Sequence, residues 1–348
     1  MKKMILKQVF FSAIICSAIL SCSKKYPVLF ERTEGEPKHP RGLTVSHDSL
    51  WAVSGHDGKF EILNQSTTIY KKEIPGMEDL RDIEILGDET VVLMNSGDLG
   101  RIWRYFPEKD SLGLAYSKDS VFLDGMAFWN TQFGIAFGDP VNGKLTILRT
   151  SDSSKTWQGL DYNLVPNGIL GEAGFAASGT GINVVGNGTV FIGTGGAKES
   201  RLFVSKDYGL NWDVLSTPMK SDTSYGIYSM YFWSDTEGVI IGGSYKYPED
   251  KDSICFYTND GGITWLERTE GLGGYSSCVH GAPNGDLLFA TGRTGTFYSI
   301  NKGENWLEFS EDKFYSVQIS GNRVYFSGKN GSLKIVDITS LRSGIDDL

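Results

Sequence analysis

Thr150-x-Asp152-x-Ser154-x-Thr156-Trp157, Ser205-x-Asp207-x-Gly209-x-Asn211-Trp212, Thr258-x-Asp260-x-Gly262-x-Thr264-Trp265 and Ser299-x-Asn301-x-Gly303-x-Asn305-Trp306 are four copies of one element. A hydroxyl residue, a short Asx side chain, a turn former and a tryptophan recur at identical offsets, and a repeat of this kind overrides local readings around it. The chemistry is that of a turn. Asp or Asn accepts backbone N–H groups, Gly supplies a positive φ, and the indole packs back over the hairpin. Asp152, Trp157, Asp207, Trp212, Asp260, Trp265, Asn301 and Trp306 are thereby consumed as structural staples.

Two strand-like runs precede each copy and a short one follows it. Gly238 to Gly242 and Ile254 to Tyr257 lead into the third copy, and Trp265 to Arg268 leaves it. Each unit is thus four antiparallel strands, with the staple joining the third to the outermost fourth. Inner strands on this template begin near Gly42, Arg81, Asp124, Ala173, Ile227, Ser276 and Tyr315, a spacing close to the ~40–45 residues of a four-stranded blade. The fold class is all-β: a seven-bladed β-propeller of four-stranded antiparallel blades. The last unit shows only three strands, Tyr315 to Ile319, Arg323 to Ser327 and Ser332 to Ile338. Pro27 to Arg32 is the expected fourth, so an N-terminal strand completes the last blade and removes the open edges.

Ahead of that strand, Lys2, Lys3 and Lys7 flank an apolar run from Val9 to Leu20, too short to span a bilayer. It ends Leu20-Ser21-Cys22, which resembles a lipobox, so Cys22 is the expected lipidation site and first mature residue. The domain reading is signal peptide 1–21, lipidated tether 22–26, propeller 27–340 and C-terminal tail 341–348. An exported protein held by lipid in the bacterial cell envelope is expected, with the leaflet open. Removing the leader's three lysines takes the formal charge from −9 to −12. That sign disfavours nucleic acid, which attracts basic surface. Cys255 and Cys278 sit in strand-like runs and read as small buried thiols.

In a propeller the inner strands start at the face that also carries the loops between second and third strands. One face therefore collects Arg81, Asp82, Asp124, Glu172, Tyr228, Tyr275 and Tyr315 at strand starts, below loops carrying His56, Asp139, Lys198, Tyr247 and Arg293. The candidate binding face is Arg81, Asp82, Asp124, Asp139, Glu172, Tyr228, Tyr275 and Arg293, at the mouth of the channel. Arg81 or Arg293 with Asp82, Asp124 or Glu172 either seals the channel as ion pairs or meets a ligand, and the residues alone leave both open. Gly243 to Ser253 is the most insertion-like loop. The four histidines, His39, His47, His56 and His280, have no ligand spacing, so no metal and no cofactor are expected.

The repeated element resembles the Asp-box, or BNR repeat, of sialidases and other β-propellers. Leu80 to Ile83, Gly134 to Pro140, Gly171 to Ala173, Phe175 to Gly179 and Gly193 to Gly196, with the boxes, resemble bacterial relatives of the photosystem II assembly-factor propellers, a set often labelled oxidoreductase. The resemblance implies a non-enzymatic binding or assembly role. Plant and cyanobacterial members use a basic, arginine-bearing face, from which this acidic chain departs. The sialidase likeness implies three arginines, a Tyr–Glu pair and an Asp acid. Only Arg41 and Arg81 stand near strand starts, with Arg293 in a loop, so that set is not assignable from sequence. The expected function is a monomeric, lipid-anchored binding or assembly module for a protein or carbohydrate partner. The alternative is a glycoside hydrolase with catalytic candidates Asp124, Glu172 and Asp82.

Overall fold

A computed structural model describes residues 26–46, 50–87 and 90–346, so the expected leader and the lipidation at Cys22 lie outside the described residues. The strands form seven four-stranded antiparallel sheets. Their inner strands are Gly42–Val45, Leu80–Leu86, Leu123–Phe128, Ile182–Val185, Tyr225–Phe232, Ser276–Gly281 and Phe314–Ser320. Successive inner strands pack on one another and the seventh returns to the first, which closes a ring around a channel. Apolar side chains fill the wedges between blades. Phe191 stacks on Phe232 at 3.7 Å between centroids, and Trp51 lies fully buried between blades one and seven.

Val28–Arg32 pairs antiparallel with Ser332–Asp337 as the outermost strand of blade seven, as the strand count in the sequence requires. Phe30 meets the edge of Trp51, and Arg32 forms a two-pronged ion pair with Glu61 of blade one at 3.0 and 2.8 Å. The strand from one end of the ring is thus fastened to both neighbours.

The staples are built as their chemistry dictates. In the third, Gly262 N–H donates to Thr258 Oγ1 at 2.9 Å and Thr264 N–H to Asp260 Oδ1 at 2.9 Å, with Gly262 at φ +93°. Bonds from the Asn211 and Leu210 N–H groups, the Asn211 amide and the Ser205 hydroxyl outweigh burial and hold Asp207 down at about 2. Replacing Asp260 with Ala is expected to cost about 1 kcal/mol in denaturant unfolding, the usual worth of a side chain capping backbone N–H groups.

Between blades, a side chain of one inner strand accepts an N–H of the next. Asp82 takes Met126 N–H at 2.8 Å, Asn183 takes Phe232 N–H at 2.7 Å, Ser229 takes Val279 N–H at 2.9 Å, His280 takes Ile319 N–H at 3.2 Å and Gln318 takes Val45 N–H at 3.0 Å. Polar side chains at these positions serve the ring closure first.

One expectation is corrected. The inner strand of blade four begins at Ile182, not near Ala173. Ala173 makes only an isolated bridge to Gly195, after which the chain leaves the sheet and crosses the channel as far as Gly181. After the last strand a helix, Thr339–Asp346, packs its Leu341 with Ile338 under blades six and seven.

Candidate functional site

Five inner strands carry a β-bulge near their start, between Leu80 and Asp82, Leu123 and Gly125, Ile227 and Ser229, Ser276 and Cys278, and Phe314 and Ser316. The extra residues are Arg81, Asp124, Tyr228, Ser277 and Tyr315. A bulge re-aims one side chain out of the pleat, and all of these except Asp124 line a single cavity of about 760 Å³ at the mouth. Its other walls are Arg41 and Tyr275, which precede inner strands, and Tyr245, Arg293 and Lys329, from loops between second and third strands. His39, Lys313, Phe175 and Phe314 complete the charged and aromatic set.

The floor is the segment that crosses the channel. Arg81 donates to Ala176 O at 2.8 Å and Arg41 to Ala177 O at 3.1 Å, so two guanidinium groups stand on consecutive carbonyls. Phe175 stacks on Tyr228 at 4.0 Å, and Ser178 Oγ donates to Ser277 O at 2.8 Å. Thr180 Oγ1 lies 2.6 Å from Ser229 Oγ. Below the floor a second chamber of about 180 Å³ holds Asp82, Glu84, Asn183, His280 and Gln318.

The mouth is cationic, although the whole chain is acidic. Arg41, Arg81, Arg293, Lys313 and Lys329 line it beside His39, whose imidazole burial and then the neighbouring Arg41 charge hold below its usual value, and among the described residues no Asp, Glu, Asn or Gln side chain lines it. Arg81 is partly neutralised by Asp79 at 2.7 Å, which also meets His56 at 3.0 Å on the rim. Arg41 lies over the Tyr315 ring at 4.6 Å, and burial, then the adjacent Arg81 charge, lowers its pKa. Burial raises the Tyr228 and Tyr275 phenols, which stay protonated, and the Tyr228 hydroxyl donates to Ser224 O at 2.9 Å. The surface thus offers N–H and O–H donors beside flat aromatic walls, and few acceptors.

Of the residues singled out from sequence, Arg81, Tyr228, Tyr275, Tyr315 and Arg293 meet here, with Arg41 beside them. The three arginines that sequence could not group converge. The acids lie elsewhere. Glu172 is buried in an ion pair with Arg201 and takes Thr194 Oγ1–H at 2.7 Å. Asp82 and Asp124 lie under the floor, and Asp139 accepts Gly174 N–H at 2.9 Å. Lys198 and Tyr247 stay on the outer surface. Of the long loop only Tyr245 reaches the cavity, while Asp250 ties the rest to Lys220 and Tyr225 at 2.8 and 2.6 Å. Lys313, Lys329, His39 and Phe175 were not found from sequence. For Lys313 the available signal was its place just before an inner strand, the position Arg41 also occupies.

Cys255 and Cys278 are free, buried thiols. Among the described residues no helix is long and apolar enough to cross a membrane.

No protein-family model matches the chain, and no curated protein does. Solved structures do. The U3-55K structure aligns at TM-score 0.64 and 12% identity, over 89% of this chain and 98% of that one. The WD40 repeats of RRP9 align at 0.62 and 12%, over 89% and 96%. The computationally designed Ika8 protein aligns at 0.60 and 14%, over 89% and 99%. At such identities the likeness carries the propeller fold alone.

Proposed function

We propose that this chain is a recognition module whose mouth binds an anionic group on a protein or glycan partner, while lipid on Cys22 tethers the body to a membrane of the bacterial cell envelope. The observation that carries the reading is the Arg41–Arg81 pair, side by side on the Ala177 and Ala176 carbonyls in a cavity that no carboxylate lines among the described residues. Two like charges held together and partly desolvated repel each other, and an anion between them relieves that cost. Fields beyond about 8 Å are screened at physiological salt. The mouth's own cations therefore govern what docks there, and the acidic remainder of the surface repels other polyanions.

The carboxylate pair that hydrolysis of a glycosidic bond needs has less support. Carboxyl pairs act across an open gap of about 5–9 Å that admits the sugar. Asp82 and Asp124 are covered by the floor segment, and Glu172 is committed to Arg201.

Calorimetric titration of the mature protein with citrate tests the mouth. A saturable site is expected whose affinity falls about 10–100-fold in Arg81→Gln, the worth of a charge-assisted hydrogen bond of ~1.5–3 kcal/mol. Wild-type affinity retained in both Arg81→Gln and Arg41→Gln would refute the assignment. For the tether, Cys22→Ala is expected to move the protein from the detergent-extracted membrane fraction to the soluble fraction. Retention in the membrane would contradict the anchor.

A further inference from the structure

The cations of the mouth stand in two tiers. Arg41 and Arg81 are half-buried at the floor, pinned to the Ala177 and Ala176 carbonyls, whereas Arg293, Lys313 and Lys329 are exposed. The outer tier comes from one side of the ring. Arg293 and Lys329 belong to the loops between second and third strands of blades six and seven, and Lys313 precedes the inner strand of blade seven. None of the three forms an ion pair with a described residue. A small anion held on the inner pair leaves this outer charge unanswered.

Aromatic faces line the same cavity. Tyr245 is 40% exposed and Arg293 donates to its carbonyl at 2.7 Å, so an open ring and an outer cation are fixed side by side. Phe175 is half-buried, backed by Tyr228 at 4.0 Å. Tyr275 is only 5% exposed and lines the cavity, yet its hydroxyl bonds to no described residue. A buried hydroxyl takes a partner, and this one opens only to what enters the mouth.

We propose that the ligand of the mouth is a polyanionic saccharide of about disaccharide size, carrying at least two sulfate esters or uronate carboxylates. One anionic group sits on the Arg41–Arg81 pair, a second on the outer tier, and a sugar ring lies against the aromatic wall. This rests on the reading of the mouth as an anion site, and within that reading it selects a glycan over a protein.

The donor inventory makes the selection. A peptide N–H can only donate, and the polar side chains here are themselves arginine, lysine and tyrosine donors. The floor carbonyls that could receive a peptide N–H are already engaged by Arg81 and Arg41. Sulfate and carboxylate oxygens only accept, and a sugar hydroxyl accepts from these groups while turning its own hydrogen to water. C–H groups on the face of a sugar ring meet the negative face of an aromatic ring. The cavity of about 760 Å³ is far larger than one anion and falls in the range of small-ligand sites. A neutral glycan would leave both tiers unanswered.

Calorimetric titration of the mature protein compares trisulfated heparin disaccharide, digalacturonate, citrate, neutral N-acetyllactosamine and a tetraglutamate peptide. At least one charged disaccharide is expected to bind about tenfold or more tighter than citrate and tetraglutamate, the gain from one further charge-assisted contact, and the better of the two identifies the anion. N-acetyllactosamine is expected not to bind. In Lys313→Ala/Lys329→Ala the preference over citrate is expected to fall to about threefold or less. Tyr245→Ala and Tyr275→Phe are each expected to weaken the disaccharide about threefold to tenfold. Citrate or tetraglutamate bound as tightly as both charged disaccharides, or a preference untouched by the lysine pair, would overturn the proposal and leave the anion site standing. Binding of none of the anions, citrate included, refutes the mouth itself.

Discussion

A chain that begins after Arg32 is expected to lose its cooperative thermal transition. Three losses coincide. Ser332–Asp337 becomes an open sheet edge, Trp51 loses the ring of Phe30, and Glu61, only 1% exposed, loses its cation. Breaking one partner of a buried ion pair costs about 3–5 kcal/mol by itself. Whole domains are stable by about 5–15 kcal/mol, so that loss and the unpaired strand together consume most of the margin. Circular dichroism on heating reads the outcome, and a peptide of residues 26–36 added in trans is expected to restore part of the transition. A truncated protein melting like the full chain would show that the strand is ornament.

The second large effect is at Glu172. Its side chain is fully buried, and Arg201 meets it with Nε at 2.8 Å and with a second nitrogen, while Ile169 N–H adds a bond at 2.9 Å. Arg201→Met leaves this carboxylate uncompensated and is expected to cost about 3–5 kcal/mol in chemical denaturation. Adding Glu172→Gln is expected to recover much of that, because a neutral amide removes the stranded charge. If the double variant is no better than the single one, the cost lies in lost guanidinium packing against Phe203 rather than in charge.

The ring was legible because its code is local. Staple hydrogen bonds span four residues or fewer, so Thr258, Asp260 and Gly262 announce their turn without help from the rest of the fold. The closing strand was legible by counting, since a unit with three strands at one end of the chain and a spare strand at the other have one economical solution. Blade four was not. Ala173 and Phe175 have the strand-like spacing of an inner strand, but glycines at 174 and 179 let the chain sit down on two carboxyls instead, a tertiary contact without a sequence period.

The site was legible in part for a related reason. Alternation along a strand runs straight through Tyr228 and Tyr315, and nothing in it marks a bulge, so sequence placed these residues at the mouth without showing that they turn into it. Glu172 and Arg201 are 29 residues apart, and pairing at that range is set by the blade geometry. Net charge misled most. It sums over the whole surface, whereas binding answers to the few cations within one screening length of the ligand.

Arg41 and Arg81 together are the proposed anion site. Anomalous diffraction from a crystal of the mature protein soaked in selenate tests it at atomic level. A selenium peak within hydrogen-bond reach of both guanidinium groups, above the Ala176 and Ala177 carbonyls, is the expected result. Peaks confined to other surfaces, with an ordered and empty mouth, would contradict it.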